Sequence, residues 1–229
     1  MDFLHCCDLG VTSDWMGSLL WYIQEYKVGG NGRLERCCKI FSTIQAFYKR
    51  TDAENRLPKL LPTMLRAEEK GKRKCPKLRA KAGEARSLVP CCLELARQYL
   101  DPADPAEHSM IQGCERLCDV YANLSSAVWN HEDFQNACKR FLMLFLALEK
   151  HFLETKLFRV KPKAHQLVEL GRDGSNPSLS WTYRDESFGH TLALLAKRRG
   201  GKFSMAAVSK AVLLRFLSAN AVPRLDERR

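Results

Sequence analysis

The segment "HEDFQNACKRFLMLFLALEKHFLE", residues 131–154, constrains the fold more than any other. Phe134, Cys138, Phe141, Phe145, Leu148 and Phe152 recur at alternating steps of four and three residues. That spacing lays one apolar stripe along a helix and leaves the opposite face polar. The same pattern returns along the chain. "EHSMIQGCERLCDVYANLSS" aligns Met110, Cys114, Leu117, Tyr121 and Leu124, and "RLERCCKIFSTIQAFYKR" aligns Leu34, Cys38, Phe41, Ile44 and Phe47. In "TSDWMGSLLWYIQEYK" the residues Thr12, Ser13 and Asp14 read as a helix cap, followed by Trp15, Leu19, Tyr22 and Ile23 at helical spacing. "EARSLVPCCLELARQYL" adds one more amphipathic stretch. No sustained period-two alternation occurs, so the expected fold is mainly α, a multi-helix bundle-like domain.

The breaks between these stripes set the organisation. "VGGNG" at 28–32, "DPADPAE" at 101–107 and "GRDGSNPS" at 171–178 read as loops. Residues 1–65 form an N-terminal helical segment, 66–82 a basic linker, 83–156 a helical bundle and 157–229 a C-terminal segment. In the last of these, "FRVKPKAHQLVEL" reads as an extended stretch leading into a helix. A helix at about 186–199 and a final one from about Ser204 to Asn220 follow.

Charge narrows the partner classes. The chain of 229 residues carries a formal charge of +11, so an anionic partner is expected, nucleic acid first. Lys70, Lys72, Arg73, Lys74, Lys77, Arg79 and Lys81 fall within twelve residues, a run typical of nuclear-import or nucleic-acid patches. Lys197, Arg198, Arg199 and Lys202 make a second cluster. An exposed charged connection would have the same composition. Ten cysteines include no C-x-x-C, so zinc-ribbon and zinc-finger spacings are missing. "MDFLHCCDLG" lacks the basic and apolar regions of a secretory leader, and the longest apolar run, "FLMLFLAL", is too short for a bilayer. An intracellular, reducing location is expected, the nucleus ahead of the cytoplasm, with no membrane partner.

Local chemistry is sparse. No phosphate-binding glycine loop and no metal-spaced histidines are present. The carboxylates Asp2, Asp8, Asp185 and Glu186 stand among apolar and aromatic residues, as a Mg²⁺ site assembled from distant segments would require. Asp185 or Ser187 would serve equally as a helix cap in "SWTYRDESFGH".

A resemblance adds to this. "KPKAHQLVEL", then "LSWTYRDESFGH", then "KFSMAAVSKAVLLRF" resemble the end of the transposases of CACTA-type (En/Spm-like) DNA transposons. Those carry an H-L-V-x-E segment, a W-x-Y-x-x-E-x-aromatic motif followed by Gly, and an "EGSMAE"-like segment before a last helix. His165, Val168 and Glu169 look like the first element. Trp181, Tyr183, Glu186, Phe188 and Gly189 look like the second, and Ser204, Met205 and Ala206 like the third. "MDFLHCCDLGVTSDWMGSLLW" resembles the family's "D-x-M-H-C" segment. "KLRAKAGEARSLVPCCLELA" resembles a family helix, but Gly83, Glu84 and Arg86 stand where the family has histidines and an Asp.

The resemblance implies a DDE-type, RNase H-like ancestor with a long helical insertion between its second and third catalytic acids. Asp2 matches the second acid and Glu186 the third. In the ancestor Mg²⁺ held by three carboxylates would cut and join DNA strands. The first acid and most of the sheet lie upstream of the matched region. The expectation is therefore a truncated, transposase-derived helical protein that binds DNA but is not catalytically competent alone. At most a remnant of the sheet is expected, at the N-terminus and near 157–165. Two rivals remain. One is a helical interaction or scaffold protein, with a protein partner or its own copy, and no nucleic-acid role. The other is a metal-dependent nuclease completed by a partner or by a local residue such as Asp8.

Overall fold

The N-terminal helix is apolar on nearly all sides, and that decides the architecture. A helix of this kind cannot lie on a surface and must be enclosed by others. The computed structural model describes residues 2–65, 68–69, 72–125, 127–179 and 204–219, apart from some side chains, and the single positions 182, 189 and 193. The chain enters a π-helix at Leu4–Thr12 and continues without a break into α1 (Ser13–Tyr22). It ends in a second π-helical turn at Ile23–Lys27. Residues 10–21 of this rod are all buried. Nine consecutive π-helical residues are unusual, because wide turns normally occur singly.

Five longer helices surround the rod: α2 (Arg33–Thr51), α4 (Ala82–Tyr99), α5 (Pro105–Leu124), α6 (His131–His151) and α7 (Pro162–Arg172). A short α3 (Pro62–Leu65) joins them. A two-residue antiparallel ladder pairs β1 (Glu68–Glu69) with β2 (Lys72–Arg73). The mainly helical expectation holds. Among the described residues there is no sheet at the N-terminus, which is helical, or near 157–165. There Leu157 and Phe158 are buried, and the Leu157 carbonyl accepts a hydrogen bond from the Ser18 hydroxyl instead of from a neighbouring strand.

Capping explains where the outer helices start. Asp104 accepts hydrogen bonds from Ala106 and Glu107 N–H with Pro105 in the first turn, and Asn130 does the same for Glu132 and Asp133. The stripes of α5 and α6 face inward as read. That of α2 holds in its second half, where Ile44 and Phe47 are buried, and is shifted in its first: Cys37 and Ile40 are buried, while Leu34 and Cys38 are exposed. The adjacent Cys37–Cys38 pair made the two phases hard to separate. Thr12, Ser13 and Asp14 are not a cap either. The helix is already running there, and all three are buried with partners: Thr12 on Tyr121, Ser13 on the Asp8 carbonyl and Asp14 on Lys161.

Trp15 is the centre of the core. Its ring meets Phe141, Phe145 and Phe158 at centroid distances of 5.1, 5.3 and 5.4 Å, and its N–H points at the Cys114 sulfur. Segments 1–65 and 83–156, which the composition sets apart, share this one core. Met1–Trp181 form one compact unit and Thr182–Arg229 a second. In the second, α8 (Met205–Ala219) begins after Ser204, whose hydroxyl accepts from Ala207 N–H. Of the expected 186–199 helix only Gly189 and Ala193 are described, and both are helical.

Most cysteines behave as small apolar residues: Cys6, Cys7, Cys37, Cys91, Cys92, Cys114 and Cys138 are buried thiols. Burial pushes Cys6, Cys91 and Cys114 up to about 12, so they stay protonated at neutral pH.

A buried carboxylate ties the end of the rod to α5. Glu107 accepts from the Tyr22 hydroxyl and the Lys27 ammonium at 2.6 Å each, and from the Asp101 N–H at 2.7 Å. Burial works to raise its pKa, but those three donors outweigh it and hold the carboxyl below its usual 4.5. A group whose folded pKa is depressed stabilises fully above the unfolded value and loses that contribution as pH falls through the folded one. The stability gap between the native protein and Glu107→Gln should therefore be full at pH 7 and shrink below pH 4.5, measured by urea unfolding across that range. A gap independent of pH would rule the linkage out.

Candidate nucleic-acid interface

Two basic segments are fastened along the central rod: 74–81, which is not helical, and 157–163, which runs into the first turn of α7. For the first, Lys77 N–H donates to the Leu65 carbonyl, Leu78 N–H to Ser13 and Arg79 N–H to Met64, at 2.7, 2.8 and 2.9 Å. Gly17 makes this approach feasible, since a Cβ there would overlap the backbone of Lys77 and Leu78. For the second, Ser18 holds the Leu157 carbonyl at 2.7 Å and the Cys6 thiol holds the Lys163 carbonyl at 3.3 Å.

The lysines of both segments converge on the rod. Lys163 donates to the His5 carbonyl at 2.6 Å, Lys77 to the Leu9 carbonyl at 2.7 Å and Lys161 to the Asp14 carboxylate at 2.6 Å. Positions 5 and 9 lie in the π-helix, whose widened turns present these carbonyls to the ammonium groups. Burial lowers the Lys77 pKa; Asp14 opposes this, and Lys161 and Lys163 push it further down. The arrangement is a seam of three lysines, one of them paired with the Asp14 carboxylate, flanked in sequence by exposed Lys74, Arg79, Lys81 and Arg159.

The residues expected to bind DNA thus divide by role. Lys74, Arg79 and Lys81 are exposed, whereas Lys77 is half-buried and fastens its segment. Lys72 and Arg73 lie in β2, and Lys70, Lys197, Arg198, Arg199 and Lys202 lie outside the described residues. Arg159, Lys161 and Lys163 were missed by sequence. The signal was present in "RVKPK", which repeats the proline-interrupted basic pattern of "KCPKLRAK".

The acids fare differently. Asp2 caps the π-helix, accepting from the Leu4 and His5 N–H groups at 3.4 and 3.1 Å and pairing with the His5 ring. Glu186 lies outside the described residues, as do Asp185, Trp181 and Tyr183. Among the described residues no three His, Cys, Asp or Glu side chains are grouped to hold a metal, Mg²⁺ included. No helix there is long and apolar enough to cross a membrane. No protein-family model, curated protein or solved structure matches the chain. Function has to be argued from side chains.

Asp8 is fully buried and structurally engaged. The Tyr121 hydroxyl donates to it at 2.5 Å, Thr12 lies 2.8 Å from Tyr121, and the Cys7 thiol lies 3.3 Å from Thr12. With Asp8 as terminal acceptor, the protons run from Cys7 to Thr12 to Tyr121 to Asp8. Burial, then Cys7 and Asp8, push the Tyr121 phenol well above its usual range, so it remains the donor. Arg86 covers its ring at 5.7 Å, and Glu84 accepts from the Lys81 N–H at the start of α4. Glu84 and Arg86 therefore have structural work here. Tyr121→Phe removes a hydrogen bond to a buried carboxylate and should cost about 1.5–3 kcal/mol by chemical unfolding. A double-mutant cycle with Asp8→Asn should show coupling, and additive losses would contradict the pairing.

Proposed function

We propose that the chain is a transposase-derived helical protein that binds DNA through the seam formed by segments 74–81 and 157–163, and that it does not catalyse on its own. The observation that carries this is the convergence of two basic segments on one rod, with exposed Lys74, Arg79, Lys81 and Arg159 flanking the half-buried lysines in sequence. Fixed cations on a rigid scaffold suit phosphate contacts, which need charge and register more than base-reading side chains. The charge of +11 supports the same partner, and a DNA-binding role is most natural in the nucleus. The resemblance supplies the ancestry, with Asp2 and Glu186 as relics of an acid set, Asp2 now serving as a helix cap.

Binding of a labelled duplex should be clear at 50 mM salt and weaken by orders of magnitude towards 200 mM, as counterion release dictates for proteins making several phosphate contacts. Incubation with Mg²⁺ or Mn²⁺ should leave a supercoiled plasmid intact. Nicking that disappears in Glu186→Gln would establish the nuclease reading instead. Failure to bind duplex or single strands at low salt would favour the scaffold reading, to which the exposed apolar residues of α6 lend some support.

A further inference from the structure

The outer face of α6 carries a second stripe that the core does not use. Lys139, Met143, Leu146 and Lys150 follow one another at steps of four, three and four residues, with Arg140 and Ala147 beside them. All are exposed, Met143 by 71% and Leu146 by 44%, and Leu153 beyond the helix end is 66% exposed. The stripe from 139 to 150 is about 16 Å long at 1.5 Å per residue. Single exposed apolar residues are ordinary, but Met143 and Leu146 are neighbours on one helix face, with Leu153 beyond its end.

The charges around the row identify what would cover it. Elsewhere on this unit cations commonly face carboxylates, as Arg33 does Glu25, Arg50 does Glu94 and Arg97 does Glu115. Lys139, Arg140 and Lys150 have no carboxylate partner among the described residues, and Lys139 reaches only the Gln135 amide at 2.8 Å. Of the acids of α6, Glu132 and Asp133 lie in the first turn, where the helix dipole favours them, and Glu149 in the last turn accepts from the Val160 N–H at 3.0 Å. An apolar row fringed by uncommitted cations complements a helix with an apolar stripe edged by Asp or Glu. A second copy through this face would instead bring Lys139 and Arg140 against like charges, Lys150 in an antiparallel pairing centred on Met143 and Leu146 or each other in a parallel one. DNA would gain nothing from Met143 and Leu146.

We propose that the outer face of α6, from Lys139 to Lys150, is a docking surface for an acidic amphipathic helix of another protein. The residues concerned do not belong to the DNA-binding seam, so either proposal can fail alone.

The probe is a synthetic helical peptide with leucines at i, i+3, i+4 and i+7 edged by glutamates, beside a sibling with lysines in place of the glutamates. Fluorescence anisotropy with the full chain should show binding of the acidic peptide and not of the basic one. Met143→Glu and Leu146→Glu, both at exposed positions, should each weaken it about tenfold, an amount typical of an interface anchor. The triple variant Lys139→Glu, Arg140→Glu, Lys150→Glu should lose the acidic peptide and acquire the basic one. Such a reversal cannot arise from misfolding. Lys59→Glu, an exposed charge change on another part of the surface, should leave binding unchanged. The proposal is overturned if the acidic peptide fails to bind, if Lys59→Glu weakens it as much as the α6 variants do, or if the charge reversal transfers no affinity. Displacement of the peptide by duplex DNA, or self-association abolished by Met143→Glu, would also overturn it by giving the face to another occupant.

Discussion

Gly17→Ala should loosen the 74–81 segment from the rod and lower both stability and DNA affinity. The added Cβ would overlap the backbone of Lys77 and Leu78, and neither can step aside cheaply. Leu78 is buried, its N–H is bonded to the Ser13 carbonyl, and the Lys77 N–H is bonded to Leu65. A clash with backbone cannot be relieved by a rotamer change, so the cost should reach or exceed the roughly 1–3 kcal/mol typical of overpacking. Urea unfolding measures the loss. Because the same displacement frees Lys77 from the Leu9 carbonyl, DNA affinity should fall in conditions where the variant is still folded. A variant as stable as the native protein would mean that the segment does not cross the rod at Gly17.

Gly113→Ala should be the other severe substitution. Gly113 lies on α5 directly against the indole of Trp15, and a Cβ there would fall on the ring. Trp15 is completely buried and is held on its other sides by Phe141, Phe145 and Phe158, so it has no room to retreat. Overpacking a closed aromatic cluster again predicts about 3 kcal/mol or more, measurable as a fall in Tm and in the urea midpoint. The cause can be isolated. In a Trp15→Phe background the smaller ring should accept the methyl, so Gly113→Ala should cost clearly less there than in the native protein. Equal costs in both backgrounds would assign the effect to helix propensity or to some other contact.

The sequence revealed the outer helices well and the central one poorly. In α5 and α6 the apolar residues recur at helical spacing beside charged faces, so both the helix and its buried side could be read. The rod is different because it is enclosed on all sides. Its few polar residues, Asp8, Thr12, Ser13, Asp14 and Ser18, are satisfied by distant groups such as Tyr121, Lys161 and the Leu157 carbonyl. Locally they look like cap residues, and only the tertiary partners reveal them as buried polar positions. The candidate interface was half legible for a related reason. The run around Lys77 is dense enough to stand out, whereas the shorter run of Arg159, Lys161 and Lys163 joins it only when α7 brings its first turn against the π-helix. Asp2 and Glu186 were singled out by resemblance alone. The fold gives Asp2 a capping role that no spacing rule distinguishes from catalysis.

The central claim is that the two basic segments act together on DNA phosphates. The most direct test is the dependence of duplex affinity on salt for the native chain and for a variant carrying Arg79→Ala, Lys81→Ala and Arg159→Ala. These three side chains are exposed, so the fold should survive their removal. If each contacts a phosphate, the slope of log affinity against log salt should become shallower by about 2.7, at roughly 0.9 per contact. The loss should be the same for unrelated duplex sequences. An unchanged slope, or no duplex binding by the native chain at low salt, would contradict the account.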